Sequence, residues 1–129
     1  MQYMLILYVN EAGWEKLTKT EQEQGVAAYT AYTQALTKAG VLKGSQRLQP
    51  SPAATTVRLA NGKPQVLDGP YADSKEQLGG FHIIDVADLD AAISWGARSP
   101  TALHGVVEVR PLLDKAAHER EFGSHALKG

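Results

Sequence analysis

The residue types with the most chemical potential crowd into one stretch of this chain, Asp68–Phe81, which reads DGPYADSKEQLGGF. Asp68 is a candidate acid or base, because a carboxylate at a turn beside a cavity can be pushed to a useful pKa by burial or neighbouring charge. Its simpler role is to cap its own turn. Asp-Gly-Pro joins a side chain that bonds downstream backbone, a residue free to take positive φ and a residue of fixed φ. Lys75 and Glu76 could orient an anionic or carbonyl ligand, or form a solvated ion pair worth under about 1 kcal/mol. Arg47, Arg58 and Arg110 are strand cations, each able to grip a carboxylate with its planar fork or to sit in a surface or interface ion pair. Arg47, with Tyr71, completes the ligand-binding set. His82 follows the stretch in a strand, so it points away from the face that Phe81 occupies. If Phe81 faces the helices, His82 faces a cavity between subunits, where a neutral imidazole shuttles a proton near pH 7. Its plainer role is a partly buried side chain satisfied by a hydrogen bond. Glu108, on the last strand, could face the same cavity or pair with Arg110. His104 reads as a loop residue, and His118 and His125 lie in the tail. No GxGxxG, P-loop, GxSxG or HExxH occurs, and four scattered His residues without ligand spacing predict no metal and no cofactor.

The elements that must hold these groups are legible in order. Tyr3–Val9 is apolar on both alternating faces and predicts a central strand. Asn10–Lys19 is a connection with Gly13 and Trp14. The overlapping capping boxes Thr18-x-x-Glu21 and Thr20-x-x-Glu23 start a helix whose inner stripe is Val26, Tyr29, Tyr32, Thr33, Leu36 and Ala39, stopped by Gly40. An irregular strand over Val41–Gln49 leads to Pro50-Ser51-Pro52. Two strands, Ala54–Ala60 and Lys63–Leu67, flank the hairpin signal Asn61-Gly62. Gly79-Gly80 permits a bulge or a close backbone approach before the apolar strand Phe81–Val86. Asp88 caps a second helix with the inner stripe Leu89, Ala92, Ile93 and Gly96, and Gly105–Arg110 is the final strand. The polar tail from residue 114 to 129 carries at most a short helix near Asp114–Glu121.

The order β-α-β-β-β-β-α-β predicts an α+β fold: a ferredoxin-like βαββαβ unit with an inserted β-hairpin, and two helices on one face of an antiparallel sheet. Two helices cannot cover both faces, so the apolar residues left on the other face predict a homodimer packed sheet to sheet. At 129 residues, 43% hydrophobic and 21% charged, the chain fits one folded domain over residues 1–113 plus the tail. A net charge of −1 argues against a nucleic-acid partner. Without Cys there is no disulfide, thiolate metal site or Cys nucleophile. The apolar start MQYMLILYVN is too short to span a bilayer and lacks a basic leader, so the expected location is the cytoplasm, with no membrane partner.

Several runs together resemble a known family. LDGPYADSKEQLGGFHIIDVADLDAAISWGARSP followed by GVVEVRPL, with YMLILYVNEAGWEKLT and AGVLKGSQRLQPSPAATTVR earlier, is similar to the DGPF group of YCII-related proteins over roughly residues 1–113. Tyr71 stands where that group usually has Phe. The resemblance implies a dimeric α+β barrel in a bacterial family mostly of unknown function, sometimes encoded beside or fused to sigma factors of the extracytoplasmic type. More distant YCII relatives carry a proposed His–Asp pair, the His in the first helix and the Asp just before a Pro ahead of the last strand. Matching Gly40 and Pro100 to the family pattern puts Tyr29 at the His position and Ser99 at the Asp position. Neither member of the pair is present, and Tyr29 remains as a donor or weak acid facing the cavity.

Two functions follow. One is a small organic ligand bound in a dimer cavity, with acid–base chemistry drawn from Asp68, His82 and Tyr29 and ligand contacts from Lys75, Glu76, Tyr71 and Arg47. The other is a non-catalytic accessory or regulatory module linked to sigma-factor-dependent transcription.

Overall fold

Alternation of apolar residues builds a four-stranded antiparallel sheet in the order β2-β5-β1-β6. The computed structural model describes residues 1–123. These strands are β1 (Gln2–Val9), β2 (Leu42–Arg47), β5 (Gln77–Asp85) and β6 (Val106–Pro111). Between β2 and β5, strands β3 (Thr55–Ala60) and β4 (Lys63–Asp68) form a separate two-stranded hairpin. Its turn is the expected one, because Asn61 and Gly62 both take positive φ, 52° and 77°, as the two-residue hairpin loop demands. Helices α2 (Lys19–Lys38) and α3 (Leu89–Arg98) cross over on one face of the sheet. The result is the ferredoxin-like unit with an inserted hairpin. Two short helices were not anticipated: α1 (Glu11–Glu15), capped by the Asn10 side chain, and α4 (Thr101–His104). A last helix, α5, spans Lys115–Phe122 within the expected tail, and His125 lies outside the described residues. Among the described residues no helix is long and apolar enough to cross a membrane.

The core lies between the helices and the sheet: Tyr3 and Leu5 of β1, Ile84 of β5 with Val86 just beyond it, Tyr32 and Leu36 of α2, and Ala92 of α3. Its asymmetry positions everything else. The expected inner stripe of α2 is buried only in the second half of the helix, and Val26 is exposed. The capping box forms as read, with the Thr18 side chain accepting from the Glu21 N–H and the Glu21 carboxylate accepting from the Thr18 N–H.

The inner stripe of α3 also differs from the expected one. Ala92 and Gly96 face inward, but Leu89 and Ile93 are about half exposed, and Ala91 and Trp95 pack on the core instead. Gly96 explains the rotation. A Cβ there would touch Val107, Val109 and Leu5 at 3.4–3.9 Å, so the helix sits close to the sheet on its small residues and turns its bulky pair outward.

Gly79-Gly80 does both things expected of it. The β1–β5 register shifts between Leu7 and Tyr8 at this point, and a Cβ on Gly80 would lie 2.5 Å from the Gln46 carbonyl oxygen of β2. Gly44, across the same strand pair, would meet only the Ile83 side chain at 3.7 Å. Gly80→Ala is therefore expected to cost about 1–3 kcal/mol or more through overpacking, while Gly44→Ala stays near neutral. Urea unfolding midpoints of the two variants check the difference, and equal midpoints would contradict the close approach.

Candidate functional site

Because the first half of α2 contributes nothing to the core, it stands over the sheet and leaves a cleft. Three ties hold it there. Trp14 of α1 packs against Gly25, where an added Cβ would come within 2.8 Å of the indole. The Gln22 side-chain amide donates to the Trp14 carbonyl oxygen at 3.0 Å. The Glu11 carboxylate anchors α1 to the chain after β2 by accepting from the Ser51 N–H and hydroxyl at 2.9–3.1 Å. The cleft has a volume of about 1390 Å³, above the range of about 300–1,000 Å³ of drug-sized pockets. Its apolar lining comes from Leu7, Val9, Trp14, Leu48 and Leu78, and its polar lining includes Tyr29, Ser45, Arg47, His82, Thr101 and His104.

His82 stands on the sheet floor of this cavity, paired in register with Leu5 on one side and Ser45 on the other. It is only 4% exposed, and its Nδ1 is buried without a hydrogen-bond partner. The edge of Tyr32 packs against it, ring centroids 5.4 Å apart at 81°. Burial holds the imidazole below its ordinary pKa, which keeps it neutral near pH 7. Tyr32 is tied by its hydroxyl to the Trp95 carbonyl oxygen at 2.6 Å, and burial pushes its own pKa up to about 12. It is a structural wedge and no acid.

Tyr29 of α2 and Thr101 of α4 add hydroxyls to the lining. The Tyr29 hydroxyl is hydrogen-bonded to the Thr101 hydroxyl, and the Thr101 N–H donates to Ser99 Oγ at 3.3 Å. Thr101 and Ser99 are 2% and 1% exposed. The two positions where distant relatives of the resembled group carry a His and an Asp are thus linked here through Thr101. Arg47, on the helix side of β2, lies over the Tyr29 ring at 5.6 Å from its centroid.

Of the residues expected to form a site, the structure brings Tyr29, Arg47 and His82 together. It does not bring Asp68, Tyr71, Lys75 or Glu76 to this cavity. Asp68 ends β4 opposite Thr55 and is exposed, followed by the turn at Gly69 with φ 97°. Tyr71 lies beneath Arg58, 5.0 Å from its guanidinium carbon. Lys75 is exposed, and one carboxylate oxygen of Glu76 is buried without a partner. The expected orientation of β5 is reversed. His82 faces the helices of its own chain, and Phe81 faces the open side of the sheet. Both faces of β5 are apolar, so alternation alone could not say which one the helices cover. Glu108 pairs with Arg110. His104, expected in a loop, closes α4 and lines the cavity. Thr101, Ser45 and Trp14 were missed because they come from distant segments with no local spacing. Among the described residues no three His, Asp or Glu side chains gather as a metal site.

Comparison with known proteins agrees with this fold. Residues 1–115 match the model of the YCII-related domain family. An uncharacterized protein of Rhizobium meliloti is 38% identical over 114 residues, covering 87% of this chain and 92% of that protein. Among solved structures, 5-chloro-2-hydroxyhydroquinone dehydrochlorinase from Burkholderia phenoliruptrix, in complex with 2,5-dihydroxybenzoquinone, superposes with a TM-score of 0.50 at 16% identity. The match covers 88% of this chain and 94% of that one, and at this identity it speaks to the fold alone.

The depressed pKa of His82 makes a stability prediction. As pH falls, the unfolded chain takes up this proton before the folded one, so stability is full above the ordinary His value of about 6.5. It declines below that value, by at most about 1.4 kcal/mol per pH unit, and levels off beneath the folded-state pKa. His82→Leu is expected to remove this decline from urea midpoints measured between about pH 7 and pH 5. An unchanged profile would contradict a buried neutral His82.

Proposed function

Because the chain belongs to the YCII-related domain family, we propose that it binds a small organic ligand in the cleft beneath α2 and exchanges a proton with it through His82. The observation that carries this reading is the buried imidazole with an unpartnered nitrogen on the floor of a large, mostly apolar cleft. A buried polar atom left unpaired costs about 1–3 kcal/mol, which a ligand donor or acceptor offsets. Neutral His82 is the base, and the Tyr29 phenol, fixed by Thr101, is the donor. The fold neighbour holds a small ring compound in its own structure, and we extend only that size class to this protein.

The proposal includes a homodimer and a cytoplasmic location. Met4, Ile6 and Tyr8 of β1 and Phe81 and Ile83 of β5 lie on the sheet face away from the helices, only partly buried. A second copy is the economical cover for such a face. A second reading, the accessory module linked to sigma-factor-dependent transcription, draws on the hairpin, whose Val57, Leu59 and Val66 are 60–73% exposed.

Two measurements test the reading. Native mass spectrometry of the purified protein is expected to show a retained small molecule that His82→Leu and Tyr29→Phe each lose. Equal retention by both variants would sink the catalytic assignment. Sedimentation is expected to give twice the chain mass of 13.9 kDa, and a mass of one chain would remove the dimer.

A further inference from the structure

The cavity carries a cation that the protein leaves without a counter-ion. Among the described residues the ion pairs are Met1 with Asp85 and Glu108 with Arg110, and neither involves Arg47. The carboxylates near it are otherwise engaged or reach solvent. Glu11 is committed to Ser51, Glu21 to the capping box of α2, and Glu15 is exposed at the rim.

The position of Arg47 relative to His82 follows from strand register. Arg47 lies opposite Gly80, and Ser45 lies opposite His82 two residues further along. Diagonal neighbours of this kind are about 7–8 Å apart, and Gly80 between them has no side chain. The floor therefore presents a guanidinium at one point and an imidazole at the next, and Arg47 and His82 both line the cavity. Leu7, Leu48 and Leu78 line the same cavity with apolar surface.

We propose that the cleft takes an organic anion with a compact apolar body, its charge held by the Arg47 fork and its body directed toward His82. A guanidinium without a carboxylate partner suits a planar carboxylate or an ionised phenol, which it meets with two parallel N–H bonds. Uncharged His82 offers hydrogen bonding without a second positive charge, and the Tyr29 and Thr101 hydroxyls offer none at all. Lys38 of α2 also lines the cavity, and Arg47 is the cation set on the sheet beside His82. This assignment rests on the reading of the cleft as a ligand site and adds the charge class of the ligand.

The test is a calorimetric titration with naphthoate and its neutral amide, naphthamide, which differ little in shape, accompanied by NMR of the His82 ring. Naphthoate is expected to bind at least tenfold more tightly than naphthamide and to shift the His82 signals. Arg47→Gln is expected to erase the preference, and Arg47→Lys to retain part of it. Arg47 is exposed, so both variants are expected to keep the parent urea midpoint. Equal binding of acid and amide, or a preference that survives Arg47→Gln, would overturn the anion assignment while leaving the cleft a ligand site. Failure of both probes to bind or to move the His82 signals at millimolar concentration would overturn both.

Discussion

The Tyr32 ring is where the packed part of this fold stops and its open part starts. Its edge rests on His82 and, 6.3 Å away, on Trp95, while its hydroxyl is tied to the Trp95 carbonyl oxygen of α3. On the C-terminal side of Tyr32, α2 closes on the sheet through Leu36. On the N-terminal side no residue of the helix is buried, and the Tyr29 hydroxyl is already taken by Thr101. A wedge at one end and the Trp14–Gly25 contact at the other hold the helix as a roof. If Tyr32 were free to move, the roof could settle onto the floor and the cavity would be lost.

The electrostatics of the cleft follow from the same geometry. Shielding by Tyr32 and the neighbouring strands desolvates His82 and keeps it neutral. Arg47, on the edge strand β2, lies within reach of solvent. A neutral base set diagonally from a cation can accept a proton from an anionic ligand without losing the charge that holds that ligand. The paired hydroxyls of Tyr29 and Thr101 then supply a polar part of the lining in place of a carboxylate. They can orient and donate but add no charge.

Much of the fold was legible in the sequence wherever a local rule decides it. The capping box at Thr18, the Asn61-Gly62 turn and the double glycine before Phe81 each have one conformational solution, and each adopts it. The side chains of β5 were not legible in the same way. Phe81 and Ile83 are as apolar as the face containing Ile84, so burial of His82 depends on which face the crossover helices happen to cover. The stripe of α3 was misjudged because a close helix–sheet approach favours Gly96 over Ile93 at the contact, and hydropathy alone prefers the reverse. The site was half legible. Tyr29 and Arg47 were marked by type and position, but Thr101 and Ser45 join them only through the crossover topology. The polar stretch after Asp68, the richest in chemistry on paper, ended up along the hairpin and its connection.

The central claim is that the sheet floor beneath α2 is open. The chain contains no Cys, so single-cysteine variants report accessibility without background. Ser45→Cys, beside His82 on that floor, is expected to react with a small maleimide much faster than Leu36→Cys, whose side chain is fully buried in the core. Equal protection of the two thiols in the folded protein would mean that α2 lies down on the sheet, and it would contradict the cleft.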